Sequence, residues 1–419
     1  MKALLLTLGT RGDVQPFVAL ARALRQAGHD AVLVAPRRFG EFARAHEVPF
    51  AGIADGPMAL LDNGSPVGDV ADGGLRAKLA LARRMPGLFT EVLRDCWTVA
   101  SAEPGVDVIV HNGQVGAGPH VAEKLGVPAV LALPLPLYVP TGAFPWPGLD
   151  LPHGLPGPVN RASYLGMRAA GTMFGRVVDR FRADLGLPRR RGRHDPLRRP
   201  DGGAATVLHA VSPQVLPRPG DWPATASVTG YWFLHDAEPG SSRLPPGLAE
   251  FLDRGDPPVF VGFGSMSGTD PAATTRVVLE AVRRSGRRAV LGTGWGGLDS
   301  AQQSKDVFVA REVPYPVLFP RVSAVVHHGG AGTTAAAAAA GRPQVVCPFV
   351  ADQPFWGRRM ARLGVAPPPV HQRRLTAAGL AEAIERTTAL VPAAEDLGRR
   401  VRAEQGLAVA VRSLAEISR

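Results

Sequence analysis

The hydrophobic pattern of this chain is one of buried strands alternating with amphipathic helices. Ala3 to Leu8 is an almost unbroken apolar run, the signature of a strand covered on both faces. From Pro16 to Ala27 the apolar positions take helical spacing, with Leu20 and Leu24 on the packing face and Gly28 placed to end the helix. Ala31–Ala35, Val106–Val110 and Ala129–Leu133 repeat the strand signal, and a helix is predicted around Pro119–Leu125. This βαβ succession implies a mostly parallel sheet with helices on both sides. After Pro257 and Pro258 the pattern restarts. Strands are predicted at Val259–Gly264, Arg288–Gly292, Val307–Ala310, Val322–Val326 and Gln344–Pro348, with a helix from Pro271 to Ser285.

Two such runs in 419 residues exceed what one hydrophobic core usually holds, so two Rossmann-like domains are expected. Asp236–Pro246, rich in Gly, Pro and Ser, suits a linker. The expected division is 1–240 and 241–395, with a helical tail 396–419 packing back toward the first domain. Segments 52–104 and 134–165 show no clear period. In the second of them Tyr138, Phe144 and Trp146 stand among prolines and glycines, as ordinary packing or as the wall of an apolar pocket.

Composition narrows the class. The net charge of +11 gathers most densely at Arg189-Arg190-Arg191-Gly192-Arg193-His194. That segment reads as a solvated loop or as a peripheral contact with acidic lipid. No aromatic residues interleave with it, which argues against nucleic acid as a partner. Leu125–Val139 is short for a membrane span and is broken by three prolines. Met1–Leu8 reads as a strand rather than a signal peptide, so a cytoplasmic protein is expected. Cys96 and Cys347, far apart in sequence, exclude a disulfide scaffold and a cysteine-rich zinc site. No assembly segment stands out, so the oligomeric state is left open.

The chemistry concentrates in His327-His328-Gly329-Gly330-Ala331-Gly332-Thr333-Thr334, between an apolar strand and an alanine-rich helix. A glycine turn before a helix lets backbone approach a ligand, and the helix start offers free N–H groups and a positive dipole end. Such a site suits phosphate. The first loop, Gly9-Thr10-Arg11-Gly12-Asp13, does not fit the dinucleotide pattern, and no P-loop is present. Adjacent histidines on a strand point apart, a poor geometry for joint metal ligation.

Together these segments resemble the nucleotide-sugar-dependent glycosyltransferases of family 1, which modify sterols, macrolides, glycopeptide aglycones and flavonoids. The matching pieces are Gly9 through Pro16, Val261 through Met266, Val313-Pro314, His327 through Thr334, Gly341 through Phe349, and Asp352 through Trp356. The resemblance implies an α/β fold of GT-B architecture, two Rossmann-like domains facing across a cleft. It implies an inverting transfer of a hexose, glucose by preference, from a UDP- or dTDP-sugar to a hydrophobic acceptor. The nucleotide sugar is a cosubstrate; no permanent cofactor and no metal are implied.

Asp13 is the candidate base, with helix capping as its alternative role. An ordinary carboxylate, with a pKa of about 4, is a weak base unless desolvated. Where histidine-bearing relatives carry an acidic partner, this chain has Asn112; His111 beside it is a candidate base, an acceptor contact or a loop hydrogen-bonding residue. Thr10, His111, Asn112, Tyr138, Phe144 and Trp146 are the candidate acceptor contacts. His328 would meet a diphosphate oxygen, with Gly330, Gly332, Thr333, Thr334 and Ser265 as further donors, and Val313 would help hold the nucleobase. Asp352 and Gln353 would bond sugar hydroxyls or merely cap a helix. Two other functions fit the same architecture: a nucleotide-sugar epimerase or hydrolase, and a non-catalytic sugar-nucleotide or lipid-binding protein.

Overall fold

The structure is a computed structural model that describes residues 1–56, 75–152, 154–172, 174–189, 195–234, 244–264, 270–294, 303–311 and 313–418, with backbone alone for 75–82 and 168–170. The chain forms two compact units, Met1–Trp146 with Leu151–Asp236 and Gln405–Arg419, and Pro147–Asp150 with Ala237–Glu404. The first boundary falls at Asp236, four residues before the expected division at 240. The tail that joins the first unit begins at Gln405 rather than at 396, because the helix Val391–Arg402 packs within the second unit.

The first unit holds a seven-stranded, wholly parallel sheet in the order β3-β2-β1-β4-β5-β6-β7. The strands are β1 Lys2–Leu6, β2 Asp30–Pro36, β3 Phe50–Ile53, β4 Val108–His111, β5 Ala129–Leu133, β6 Thr206–His209 and β7 Ala226–Val228. Side chains alternate across a strand, so β1 feeds two cores. Ala3 and Leu5 pack with Phe17, Leu20 and Leu24 of the helix Arg11–Gln26 and with Val411 and Leu414 of the C-terminal helix Gly406–Ile417. Leu4 and Leu6 pack on the opposite face with Ile109 and Val121. Each fully buried leucine contributes roughly 1.5–3 kcal/mol.

The second unit holds a five-stranded parallel sheet in the order β10-β9-β8-β11-β12. These are β8 Val259–Gly262, β9 Ala289–Gly292, β10 Val307–Ala310, β11 Ala324–His327 and β12 Gln344–Val346. Val259 and Val261 face one core while Phe260 faces the other, beneath Tyr315 and Phe319.

Both sheets reverse strand order beside their first strand. In the first unit the chain builds outward from β1 to β3 and then returns to lay β4 on the other side of β1. In the second unit β8 and β11 repeat this relation. At such a switch point the loops leaving the carboxyl ends of the two central strands diverge and open a crevice. The loop after β1 carries Gly9 and Thr10 and leads into the helix that bears Asp13, and the loop after β4 carries Asn112 to Gln114. The loops after β8 and β11 carry Gly264 and His328.

Three features depart from the sequence pattern. A 28-residue helix, Leu75–Ala102, fills much of the segment 52–104, with Pro86 inside it. Helix Arg11–Gln26 begins five residues before Pro16, so Asp13 is helical rather than a loop residue. Pro16 forfeits the bond to the Gly12 carbonyl, a small loss because Gly12 is exposed to water. Strands β6 and β7 complete the first sheet from short runs that carry little period of their own.

Candidate active site

Asp13 occupies the third position of helix Arg11–Gln26. Its Oδ2 accepts the Thr10 backbone N–H at 2.8 Å and the Thr10 hydroxyl at 3.0 Å. Capping and catalysis were alternatives for this residue, and the geometry shows the cap in place with Oδ1 left over. Gly9 has φ +140°, and a Cβ there would overlap the Asp13 carboxylate, so only glycine lets the carboxylate lie against the turn. Burial pushes the Asp13 carboxyl above its ordinary value, against the lowering effect of hydrogen bonds from Thr10 and Gln114.

Gln114 is the residue that sequence reading missed. With its amide nitrogen turned toward the Leu8 carbonyl, it also donates to Asp13 Oδ1 at 3.3 Å. Only its place two residues beyond Asn112 hinted at this. Asn112 itself does not reach Asp13 with a hydrogen bond. It is buried, its Nδ2 donates to Thr7 Oγ1 at 3.0 Å and to the Leu8 carbonyl at 2.7 Å, and its Oδ1 accepts the Val115 N–H at 3.1 Å. Asn112 therefore laces the two switch-point loops together, and it is not a surface an acceptor can touch.

The other expected acceptor contacts divide. Tyr138 belongs to the Asp13 site: its ring lies against Gly113, and burial, with the Asp13 charge second, pushes its phenol up to about 12. It stays protonated, available as a donor. Thr10 is exposed, but its hydroxyl hydrogen is spent on Asp13. His111 ends β4 fully packed against Gly118, its Nδ1 3.0 Å from the Asn112 carbonyl. Burial holds it down to about 4, so the ring is neutral, and its packing and hydrogen bond fit the loop role among its alternatives. Phe144 is buried. Trp146 lies near Gly166 with its backbone N–H donated to Ser163 Oγ at 2.8 Å.

In the second unit, β11 delivers His327 into the core and His328 onto the loop, the two rings at 87° to one another. His327 Nε2 is 2.8 Å from Gln344 Oε1, and its Nδ1 accepts the Gly329 N–H at 3.0 Å. The second bond requires a bare Nδ1, so Nε2 carries the proton. His327 thus fixes the turn and, pushed down to about 3 by burial, stays neutral.

His328 lies between Gly264 and Gly330, where a Cβ at Gly330 would overlap Nε2. Its Nδ1 is buried with no partner among the described residues. Burial lowers its pKa to about 4. Gly330 caps the helix Ala331–Ala339, whose first N–H groups precede the intrahelical bond from Thr334 to the Gly330 carbonyl at 2.9 Å. Gly332 is exposed with nothing crowding it, and Thr333 is half-buried. Thr334 leaves the donor set: its side chain is fully buried and its N–H is already bonded. The ring thus has an unpaired Nδ1 on the Gly264 side and lies with Nε2 against the free helix start, chemistry that suits an anion.

Val313 is half-buried and, like Tyr315, packs against the core cluster of Phe260 and Phe319; the Tyr315 ring stacks on Phe319 at 4.4 Å. Ser265 lies outside the described residues, as do Arg190 to His194. Asp352 stands at the N-cap position of the helix Gln353–Arg362 without a side-chain capping bond and accepts the Trp356 indole N–H at 2.8 Å on Oδ2. Gln353 Oε1 accepts the N–H groups of Phe349 at 2.7 Å and Val350 at 3.2 Å. Its amide NH₂ remains for another acceptor. Just before them Ala351 holds φ +58°, a left-handed conformation costing on the order of 1 kcal/mol or more for a residue with a Cβ. No group of three or more metal-ligating side chains occurs among the described residues.

Comparisons with known proteins bear on the fold and on the relatives of this chain. The family described as glycosyltransferase family 28 N-terminal domain matches residues 3–141. Another, erythromycin biosynthesis protein CIII-like, C-terminal domain, matches residues 298–408. The chain is 31% identical to a sterol 3-beta-glucosyltransferase of Cryptococcus neoformans, over 99% of this chain and 27% of that protein. It is 32% identical to sterol 3-beta-glucosyltransferase UGT80A2 of Arabidopsis thaliana, over 99% of this chain and 65% of that one. The chain thus spans less than two thirds of either relative. Among solved structures, the glycotransferase of kitacinnamycin matches with a TM-score of 0.72 at 17% identity, covering 100% of this chain and 99% of that chain. The glycosyltransferase VinC, solved in complex with dTDP, matches at 0.63 and 20%, covering 100% and 99%. These likenesses define a GT-B fold, two Rossmann-like units in one chain. Over nearly its whole length the chain is similar in sequence to sterol 3-beta-glucosyltransferases.

Proposed function

We propose that this protein is an inverting glycosyltransferase that moves glucose from a UDP- or dTDP-sugar to a hydroxyl of a hydrophobic small molecule, a sterol by preference. One observation carries the reading. Each unit places different chemistry at the same topological position, a raised carboxylate at the β1/β4 switch and an orphaned imidazole with a helix start at the β8/β11 switch. In this reading the first unit holds the acceptor and the second the donor. The sterol-glucosyltransferase relatives support glucose and a sterol-like acceptor. Two buried, unpaired cysteines support a reducing compartment such as the cytoplasm.

The acceptor oxygen attacks the anomeric carbon as the bond from that carbon to the diphosphate breaks. Attack from the face opposite the leaving group inverts the centre. Asp13 takes the acceptor proton, with Thr10 and Gln114 holding its two oxygens and the Tyr138 phenol beside it. The charge that develops on the diphosphate meets His328 and the N–H groups at Ala331, Gly332 and Thr333. The Gln353 amide and the Asp352 carboxylate face the task of holding sugar hydroxyls. The burial of Gln353 would penalise a deoxygenated sugar that leaves its amide without that partner.

Incubation with UDP-glucose or dTDP-glucose and a panel of sterols, macrolides and phenols is expected to give a β-glycoside by mass spectrometry and NMR. Sugar epimerisation, or diphosphate release with no glycoside from any acceptor, would overturn the reading. Gln114→Ala is expected to lower kcat about tenfold with little change in the acceptor KM, since a hydrogen bond to a charged group is worth about 1.5–3 kcal/mol. Removing a bond that favours the carboxylate raises the Asp13 pKa, so the acid limb of the pH–rate profile should move to higher pH. An unmoved limb would show that Gln114 does not act on Asp13.

A further inference from the structure

Arg38 lies in the single turn Arg37–Phe39 that follows β2, the strand beside β1. The loops leaving the two strands start together, the Thr7 N–H donating to the Val34 carbonyl at 2.9 Å. Farther on, Arg38 reaches back to the first of them, and its Nη2 donates to the Gly9 carbonyl at 3.3 Å.

That carbonyl is one half of a peptide whose other half already holds Asp13. The Thr10 N–H of the same planar unit donates to Asp13 Oδ2 at 2.8 Å. Burial raises the Asp13 pKa, and of the bonds that oppose this the Thr10 N–H has the largest effect. A cation on the carbonyl draws charge toward its oxygen and makes the N–H a stronger donor, as bonds in a chain strengthen one another. It also fixes the plane of the peptide, which Gly9, at φ +140°, has no side chain to steady.

Arg38 is itself held. Its Nε is 3.5 Å from Asp55 Oδ1, just after β3, and its guanidinium carbon is 5.2 Å from the centre of the Phe39 ring. The two charged side chains are 29% and 31% exposed, so water screens them only in part. Around the carboxylate stand two neutral groups, Tyr138 and Gln114. Arg11, on the same helix as Asp13, lies 4.9 Å from the Phe42 ring and bonds Gln15.

We propose that Arg38 is a positioning residue for the base: acting through the Gly9–Thr10 peptide, it fixes and strengthens the N–H that holds the charged Asp13 carboxylate. The proposal rests on the reading of Asp13 as the base. Arginine suits the task better than lysine, because its planar fork serves Gly9 and faces Asp55 at once.

The test separates this role from transfer by titrating the Asp13 carboxyl directly. Carbon-13 NMR of the full chain with Cγ-labelled aspartate would follow it, the Asp13 signal being the one lost in Asp13→Asn. Arg38→Met, which keeps an aliphatic stem, is expected to raise the Asp13 pKa by about one unit. Asp55→Asn removes a negative charge beside the guanidinium and should move that pKa down, by less. In transfer, Arg38→Met should carry the acid limb of the pH–rate profile upward with the carboxyl. It should also lower kcat about tenfold with little change in acceptor KM. Arg38→Lys, which keeps the charge, should bring the limb most of the way back. An Asp13 carboxyl that titrates in Arg38→Met as in the parent would overturn the proposal, whatever transfer does. Shifts of the same sign in Arg38→Met and Asp55→Asn would mark a loosened loop and overturn it too. A shifted carboxyl with an unmoved acid limb would confirm the hold of Arg38 on Asp13 and overturn the base role itself.

Discussion

Replacing Asp13 by asparagine is expected to lower transfer by about 10²- to 10⁴-fold, the range that a positioned general base supplies. Asparagine is nearly isosteric. Its carbonyl oxygen can still accept the Thr10 N–H now held by Oδ2 at 2.8 Å, so the helix cap survives while the basic oxygen is lost. Donor affinity should stay near that of the parent, because the groups proposed to hold the donor belong to the other unit. The burial that raises the Asp13 pKa also fixes the sign of the stability change. A carboxyl whose folded pKa lies above its unfolded value adds stability that is full below the unfolded value, about 3.9, and is lost as pH rises through the folded one. Asparagine, which never ionises, escapes that loss. Asp13→Asn should therefore be at least as stable as the parent at neutral pH by thermal denaturation. The parent's rate should also fall on its acid side at a pH above the usual carboxylate range. Undiminished transfer would remove Asp13 from the base role. A collapse of Tm alongside lost activity would reduce it to a cap.

How much of this was legible depends on how each segment is buried. All five strands of the second unit announce themselves, because each is covered on both faces and reads as a continuous apolar run. The first unit reveals β1, β2, β4 and β5 by the same signal. Its β7 is only Ala226–Val228, too short to show a period and recognisable only by its place beside β6. The helix Leu75–Ala102 hid behind Pro86, which breaks the expected pattern although the helix runs through it. At the sites, the glycine turn told its shape because Gly329, at φ +93°, and Gly330 are demanded by the backbone and by the His328 ring. Burial, by contrast, is a tertiary property. Nothing local distinguishes Thr333, half-buried at the helix start, from Thr334, sealed in the core. Nothing local tells that Asn112 laces two loops while Gln114 reaches the carboxylate.

His328→Ala is expected to cost about 10²- to 10³-fold in turnover, the effect of removing one well-aimed donor from developing charge. The protein's own geometry adds a sharper signature. In the free protein burial lowers the His328 pKa to about 4, so the ring is neutral at pH 7. A diphosphate beside its orphaned nitrogen favours the imidazolium, and binding must then raise that pKa. Reciprocal coupling requires that protonation strengthen binding to the same extent. The affinity for UDP-glucose, whose diphosphate does not itself titrate near neutrality, should rise as pH falls through the pKa of the bound state. It should level off below about 4, where the free protein is protonated as well. Calorimetry in buffers of different ionisation enthalpy should register proton uptake on binding. In His328→Ala both the uptake and the pH dependence should vanish, while the helix N-terminus alone sustains a weaker, pH-independent affinity. His328→Gln, which keeps a neutral donor, should recover part of the turnover but none of the proton uptake. Unchanged turnover and affinity in the alanine variant would show that the anion sits elsewhere. A full loss of affinity with no proton uptake in the parent would leave His328 a neutral donor throughout the cycle.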